Sequence, residues 1–175
     1  MEKQSVSEGK SFRAGMYLLD SFTSGMYNDP LIIYREYIQN AVDSIDMSLD
    51  QESEPFEVKI QLEPSTRKIT IHDNAMGLPS AMAEEVLSSV GSSSKTFGKL
   101  RGFRGIGRLG GIAFSDQAVF RTKAKNETVE SIQEWDCQHL RRLLTEQRKD
   151  TLTLEEVFHC VTRFRQEKCQ NSQDS

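Results

Sequence analysis

The sequence predicts an α/β domain of the α+β kind, with helices layered on a sheet, and three observations carry that reading. Several segments repeat apolar residues at helical spacing. Others alternate strictly between apolar and polar residues and are separated by turn formers. The two patterns interleave along the chain in the order helix, helix, strand, strand, helix, loop, helix, strands, helix, helix, which calls for layers rather than two separate halves.

Taken in order, residues 14–26 hold apolar side chains at helical spacing, and Asn28-Asp29-Pro30 then forms a cap-and-proline start for a second helix. On that helix Leu31, Tyr34, Ile38, Ala41, Val42 and Ile45 gather on one side, and Glu36, Asn40 and Asp43 are left on the other. Phe56-Glu57-Val58-Lys59-Ile60-Gln61-Leu62 alternates, Pro64-Ser65-Thr66 turns the chain, and Lys68-Ile69-Thr70-Ile71-His72 returns it as a hairpin ending at Asp73. Residues 79–90 read as a helix. Residues 91–105, rich in Gly, Ser, Lys and Arg and without apolar periodicity, read as a mobile loop. A short helix over 106–114 follows, then strands over 117–123 and 128–135, helices over 137–148 and 154–167, and a polar tail from 168 to 175.

Composition narrows the class. A chain of 175 residues with 37% hydrophobic content is one domain's worth, long enough to bury a core. Lys plus Arg at 22 against Asp plus Glu at 26 gives a net charge of -4, so no general attraction to nucleic acid is indicated. No apolar run approaches the length that spans a bilayer, and the first residues hold no apolar segment, so no membrane partner and a cytoplasmic location are expected. Cys137, Cys160 and Cys169 are odd in number and widely spaced, which predicts free thiols, with neither disulfide nor metal-sulfur site.

Three motifs stand out. Glu36, Asn40 and Asp43 fall at steps of four and seven, stacking along one helix face; alone, that is also what a solvated face looks like. Asp73-Asn74-Ala75-Met76-Gly77 ends a strand, where Asp, Asn and Gly are equally the residues of an ordinary turn. Six of the 11 glycines lie between Gly98 and Gly111, a density that favours a ligand-cradling loop. Within it, Gly102-Phe103-Arg104-Gly105-Ile106-Gly107 is neither the dinucleotide fingerprint nor a G-x-x-x-x-G-K-[ST] phosphate loop. Arg101, Arg104 and Arg108 beside it fit phosphate charge and a wetted loop equally well. His72, His139 and His159 lie far apart and are assigned no chemistry.

Together the motifs are complementary to a nucleotide and its metal. Backbone N–H groups of a glycine-rich loop, with the start of the helix near Ile106, suit a polyphosphate. An Asn oxygen at position 40 can complete the shell of a Mg²⁺ that keeps water and phosphate as its other ligands. Glu36, a turn earlier, can orient and deprotonate a water for in-line attack on the terminal phosphate. Asp73, at a strand end, can accept a hydrogen bond from the exocyclic amine of adenine.

At these residues the chain resembles the GHKL superfamily of ATPases: gyrase, heat-shock chaperones, histidine kinases and MutL-type repair proteins. The E-x-x-x-N-x-x-D helix is matched by Glu36, Asn40 and Asp43, the D-x-G-x-G box by Asp73 to Gly77 with Ala75 in place of the first glycine, and the lid-end G-x-x-G-x-G by Gly102 to Gly107. Ser88-Ser89-Val90-Gly91-Ser92-Ser93-Ser94-Lys95 is similar to the start of the family's ATP lid, so the resemblance covers about residues 12 to 125. Within the family the chain looks closest to bacterial chaperone-like ATP-binding proteins, since the kinases usually carry Asn where Glu36 stands.

The resemblance implies a Bergerat-type fold, a two-layer sandwich with helices on one face of a mixed, mostly antiparallel sheet. It implies a flexible N-terminus over 1–11, an ATP-binding domain over 12–167 with a lid at about 91–105, and truncation at a C-terminal strand. The implied site has Glu36 as the catalytic base and Asn40 on the metal. Asn40, Asp43, Asp73, Met76, Gly77, Lys95, Gly102, Gly105, Ile106 and Gly107 hold the nucleotide. The family also sets a threonine on a late strand beside the adenine-binding acid, and Thr122 stands early for that part. Implied cofactors are ATP and Mg²⁺, and implied partners are ATP or ADP, a second copy on ATP binding, and a client protein. The function implied is a chaperone-like ATPase that couples nucleotide binding and lid closure to a conformational change. A nucleotide-binding dimerisation module without turnover is the alternative. A kinase passing phosphate to histidine is disfavoured by Glu36.

Overall fold

The computed structural model describes residues 29–48, 55–88, 109–145 and 153–169. The helix expected over 14–26, the loop 91–105, the string Gly102 to Gly107 and the tail beyond Cys169 lie outside them.

Helix α1, Ile32–Asp46, starts where the sequence places a cap: the Asp29 carboxylate accepts from the Leu31 N–H at 2.9 Å, satisfying one donor that the helix cannot. Ile33 and Ala41 are buried, but the expected division into an apolar and a solvated side is not what forms. Leu31 precedes the first full turn and stays 66% exposed, whereas Asp43 is 1% exposed. Both margins of this helix are covered, so its polar strip runs from solvent into the interior.

Strands β1, Val58–Glu63, and β2, Lys68–Asp73, pair antiparallel from Val58 opposite Asp73 to Glu63 opposite Lys68. The reversal between them closes with Arg67 at φ +52. Because facing residues share a side, Val58, Ile60, Leu62, Ile69 and Ile71 form one apolar face. Helix α2, Ser80–Ser88, and the short α3, Leu109–Phe114, stand within the segments read as helical.

Strands β3, Gln117–Thr122, and β4, Val129–Asp136, are antiparallel. Helix α4, Cys137–Thr145, is followed by α5, Leu154–Val161. The single helix expected over 154–167 is corrected here: it stops at Val161, and Thr162–Lys168 is a strand, β5, paired antiparallel with β4 from Trp135 opposite Thr162 to Val129 opposite Lys168. The stop is local and the continuation is not. Thr162 is extended at φ -120, its hydroxyl donates to the Phe158 carbonyl at 2.8 Å, and the open edge of β4 then takes up the chain. The strand also absorbs Lys168, the first residue of the expected tail, and the Cys169 N–H reaches the Thr128 carbonyl at 2.7 Å.

The core lies on one face of the three-stranded sheet, where Ile112, Trp135, Cys137, Leu140, Leu144, Val157 and Val161 interlock. Trp135 meets Phe158 edge to face, with centroids 5.1 Å apart. On the opposite face Arg121 pairs with Glu130, and Arg165 with Glu134 and Glu167. The fold is thus α+β, helices layered on antiparallel sheet, and every strand pairing among the described residues is antiparallel.

Candidate functional site

The three acid-strip residues grade from water inward. Asn40 is exposed. The Glu36 side chain is 24% exposed, with the Arg35 guanidinium 3.8 Å away. Asp43 is buried and accepts from the Gln39 side-chain amide, one turn back, at 2.9 Å. A carboxylate is seldom buried unless partners or function hold it there, so this face is more than a wetted surface.

The Asp73–Gly77 turn is tied down residue by residue. One Asp73 carboxylate oxygen accepts from the Ala75 N–H at 3.1 Å. Asn74 uses its whole side chain on the residues leading into β1, accepting from the Glu57 N–H at 2.8 Å and donating to the Pro55 carbonyl at 3.1 Å. The Met76 N–H donates to the Ser48 hydroxyl at 3.3 Å, and the Met76 carbonyl accepts from the Lys125 N–H at 3.2 Å. The Leu78 N–H donates to Thr122 Oγ1 at 2.8 Å. Gly77 has φ +67, and a Cβ there would lie 2.1 Å from the Lys123 carbonyl oxygen. Arg67 alone among the described non-glycine residues has positive φ, so alanine at position 75 occupies ordinary backbone space, and the departure from the family's glycine costs no left-handed strain.

The third motif is present through the helix that follows it. Gly110 and Gly111 are buried on α3, and Gly111 packs so closely against α1 that a Cβ would lie 2.0 Å from the Tyr37 hydroxyl. Tyr37 is in turn wedged edge-on against Phe120, centroids 6.0 Å apart. Helix α1 therefore touches both β2 and α3. Glu36, Asn40 and Asp43 thus stand on the element joined to Asp73, Met76 and Gly77. Lys95, Gly102, Gly105, Ile106 and Gly107 lie outside the described residues. A shallow groove lined by Gln138, Arg141, Arg142 and Thr145 lies on α4 and holds none of the named residues.

Sequence reasoning missed Ser48, Tyr37 and Lys125, and set Thr122 aside. Ser48 and Lys125 carry no periodic or motif signal, because each acts on a residue far along the chain. Thr122 had a signal, a hydroxyl at the end of a predicted strand. Among the described residues no three His, Cys, Asp or Glu gather as a metal cluster, and no helix is long and apolar enough to cross a membrane.

Helices layered on antiparallel strands, with an acid-bearing helix packed on an Asp-to-Gly turn, mark the class of GHKL ATP-binding domains. The profile described as "Histidine kinase-, DNA gyrase B-, and HSP90-like ATPase" matches residues 34–169, and the chain belongs to that family. It is 32% identical over 117 residues to the chaperone protein HtpG of Methylibium petroleiphilum, covering 58% of this chain and 18% of that protein. It is 26% identical over 145 residues to HtpG of Acinetobacter baylyi, covering 70% of this chain and 23% of the relative. The chain spans about a fifth of the length of these relatives.

Proposed function

We propose that the chain is an ATP-binding and ATP-hydrolysing domain that couples nucleotide binding to a conformational change, as in a chaperone, acting in the cytoplasm and pairing with a second copy when ATP binds. The observation that carries this reading is the joining of the acid-bearing α1 to the Asp73–Gly77 turn, through packing on β2 and the Ser48–Met76 hydrogen bond. In this reading Asp73, with one oxygen engaged by Ala75, uses the other to accept from the adenine amine. The exposed Asn40 amide oxygen serves Mg²⁺. Such an ion would keep water and phosphate oxygens as its other ligands. Bound ATP supplies the γ-phosphoryl group. Glu36 orients and deprotonates the attacking water, Asp43 steadies the inner end of the strip, and the glycine string with Lys95 holds phosphate oxygens while segment 91–105 closes and excludes water.

Glu36→Ala is expected to keep ATP binding by calorimetry and to lower phosphate release by roughly 10²- to 10⁴-fold. Hydrolysis equal to the parent chain would remove Glu36 from the mechanism. Asp73→Asn should abolish binding. A parent chain that binds ATP and releases no phosphate would replace this reading with a non-hydrolysing nucleotide-binding module.

A further inference from the structure

We infer that Ser48 is a positioning residue that sets the base-reading turn against the helix carrying Glu36, Asn40 and Asp43; the functional half of this inference rests on the nucleotide reading above. Ser48 lies two residues beyond α1 and is 0% exposed. Its own N–H turns back to the Ile45 carbonyl at 2.8 Å, a tightened last turn that leaves the Ser44 carbonyl without its usual helical donor. The Ser48 hydroxyl fills that vacancy, donating to the Ser44 carbonyl at 2.8 Å. With its one proton committed, the oxygen presents lone pairs to the Met76 N–H at 3.3 Å. One buried hydroxyl therefore satisfies a helix carbonyl and a turn amide at once.

The other ties on the turn lead to the residues just before β1, through Asn74, and to β3 and the residues after it, through Leu78 and Met76. Ser48 ties the turn to the end of α1 by a hydrogen bond on each side. Without it the base-facing residues keep their anchorage to the sheets and lose their registration with the phosphate-facing helix. A loss of base discrimination, rather than of phosphate affinity, follows.

The test is calorimetry of the chain and of Ser48→Ala with ATP, GTP and inorganic tripolyphosphate, alongside amide exchange of the ligand-free protein. The Met76 amide should exchange more slowly than that of Gly77, whose N–H has no partner among the described residues, and Ser48→Ala should remove that difference. The preference for ATP over GTP should fall about three- to tenfold, the effect of one net hydrogen bond, with tripolyphosphate affinity unchanged and Ser48→Thr restoring the preference. An unchanged ATP to GTP ratio, or an equal loss for all three probes as from a general loosening of the helix end, overturns the inference. A parent chain that binds neither nucleotide overturns the nucleotide reading and the functional half with it, while Met76 exchange still decides the structural link. If the alanine variant does not fold, Ser48→Cys, which keeps a slightly larger γ atom that both donates and accepts weakly, is measured in the same way.

Discussion

Gly77 and Gly111 would each bring an added methyl within hard contact, and the identity of the atom it meets separates their consequences. At Gly77 that atom is the backbone carbonyl of Lys123, which cannot swing aside without breaking the neighbouring Met76–Lys125 hydrogen bond, and φ +67 adds conformational strain. At Gly111 it is the tip of the Tyr37 side chain, which a ring shift can relieve at the expense of its Phe120 contact. Gly77→Ala is therefore expected to destabilise by about 2 kcal/mol or more and to abolish nucleotide binding, and Gly111→Ala to cost less. Urea midpoints of the two variants check the order. Equal midpoints would contradict it. The glycine at 77 was legible as part of a box, because few residues suit a left-handed position. The acceptability of Ala75 was not, since the sign of φ is set by the surrounding ties.

At the scale of elements, α5 shows what local chemistry decides and what it leaves open. Its start is written in Thr-x-x-Glu: the Glu156 N–H donates to Thr153 Oγ1 at 3.2 Å while the Glu156 carboxylate accepts from the Thr153 N–H at 2.7 Å. Thr153→Ala should lower stability by about 1 kcal/mol, and Glu156→Gln, which can still accept, by less; urea unfolding distinguishes them. Its end was misread because Arg163, Arg165, Gln166 and Glu167 are good helix formers and Val157, Val161 and Phe164 fall near helical spacing. The pairing partner of Thr162–Lys168 lies some thirty residues earlier, where no window of local pattern reaches. The hairpin of β1 and β2, by contrast, was read correctly from alternation plus a turn, since both partners are neighbours in sequence.

Over the whole molecule, the layering of helix on sheet was legible, and the sorting of strands into one pair and one trio was not, because it depends on which edges meet. The core also makes a prediction about pH. Burial pushes the Cys137 thiol up to about 11, above the ordinary value near 8.5 of an unfolded chain. A group whose proton is held more tightly when folded contributes fully below its unfolded pKa and loses that contribution as pH climbs through its folded one. Thermal stability should therefore decline between about pH 8.5 and 11, and Cys137→Ala should flatten that decline relative to its own value at neutral pH. Alkylation at neutral pH should modify exposed Cys160 first and buried Cys137 only on unfolding, which peptide mapping reads directly.

Trp135 is the chain's one tryptophan, wholly enclosed, and its indole N–H has no hydrogen-bond partner among the described residues. An indole held in so dry a setting emits at short wavelength and moves to the red once water reaches it. The protein thus carries its own optical gauge of whether the three-stranded sheet is intact. Trp135 is none of the residues assigned to the nucleotide, and so its emission separates unfolding from a mere failure to bind ligand.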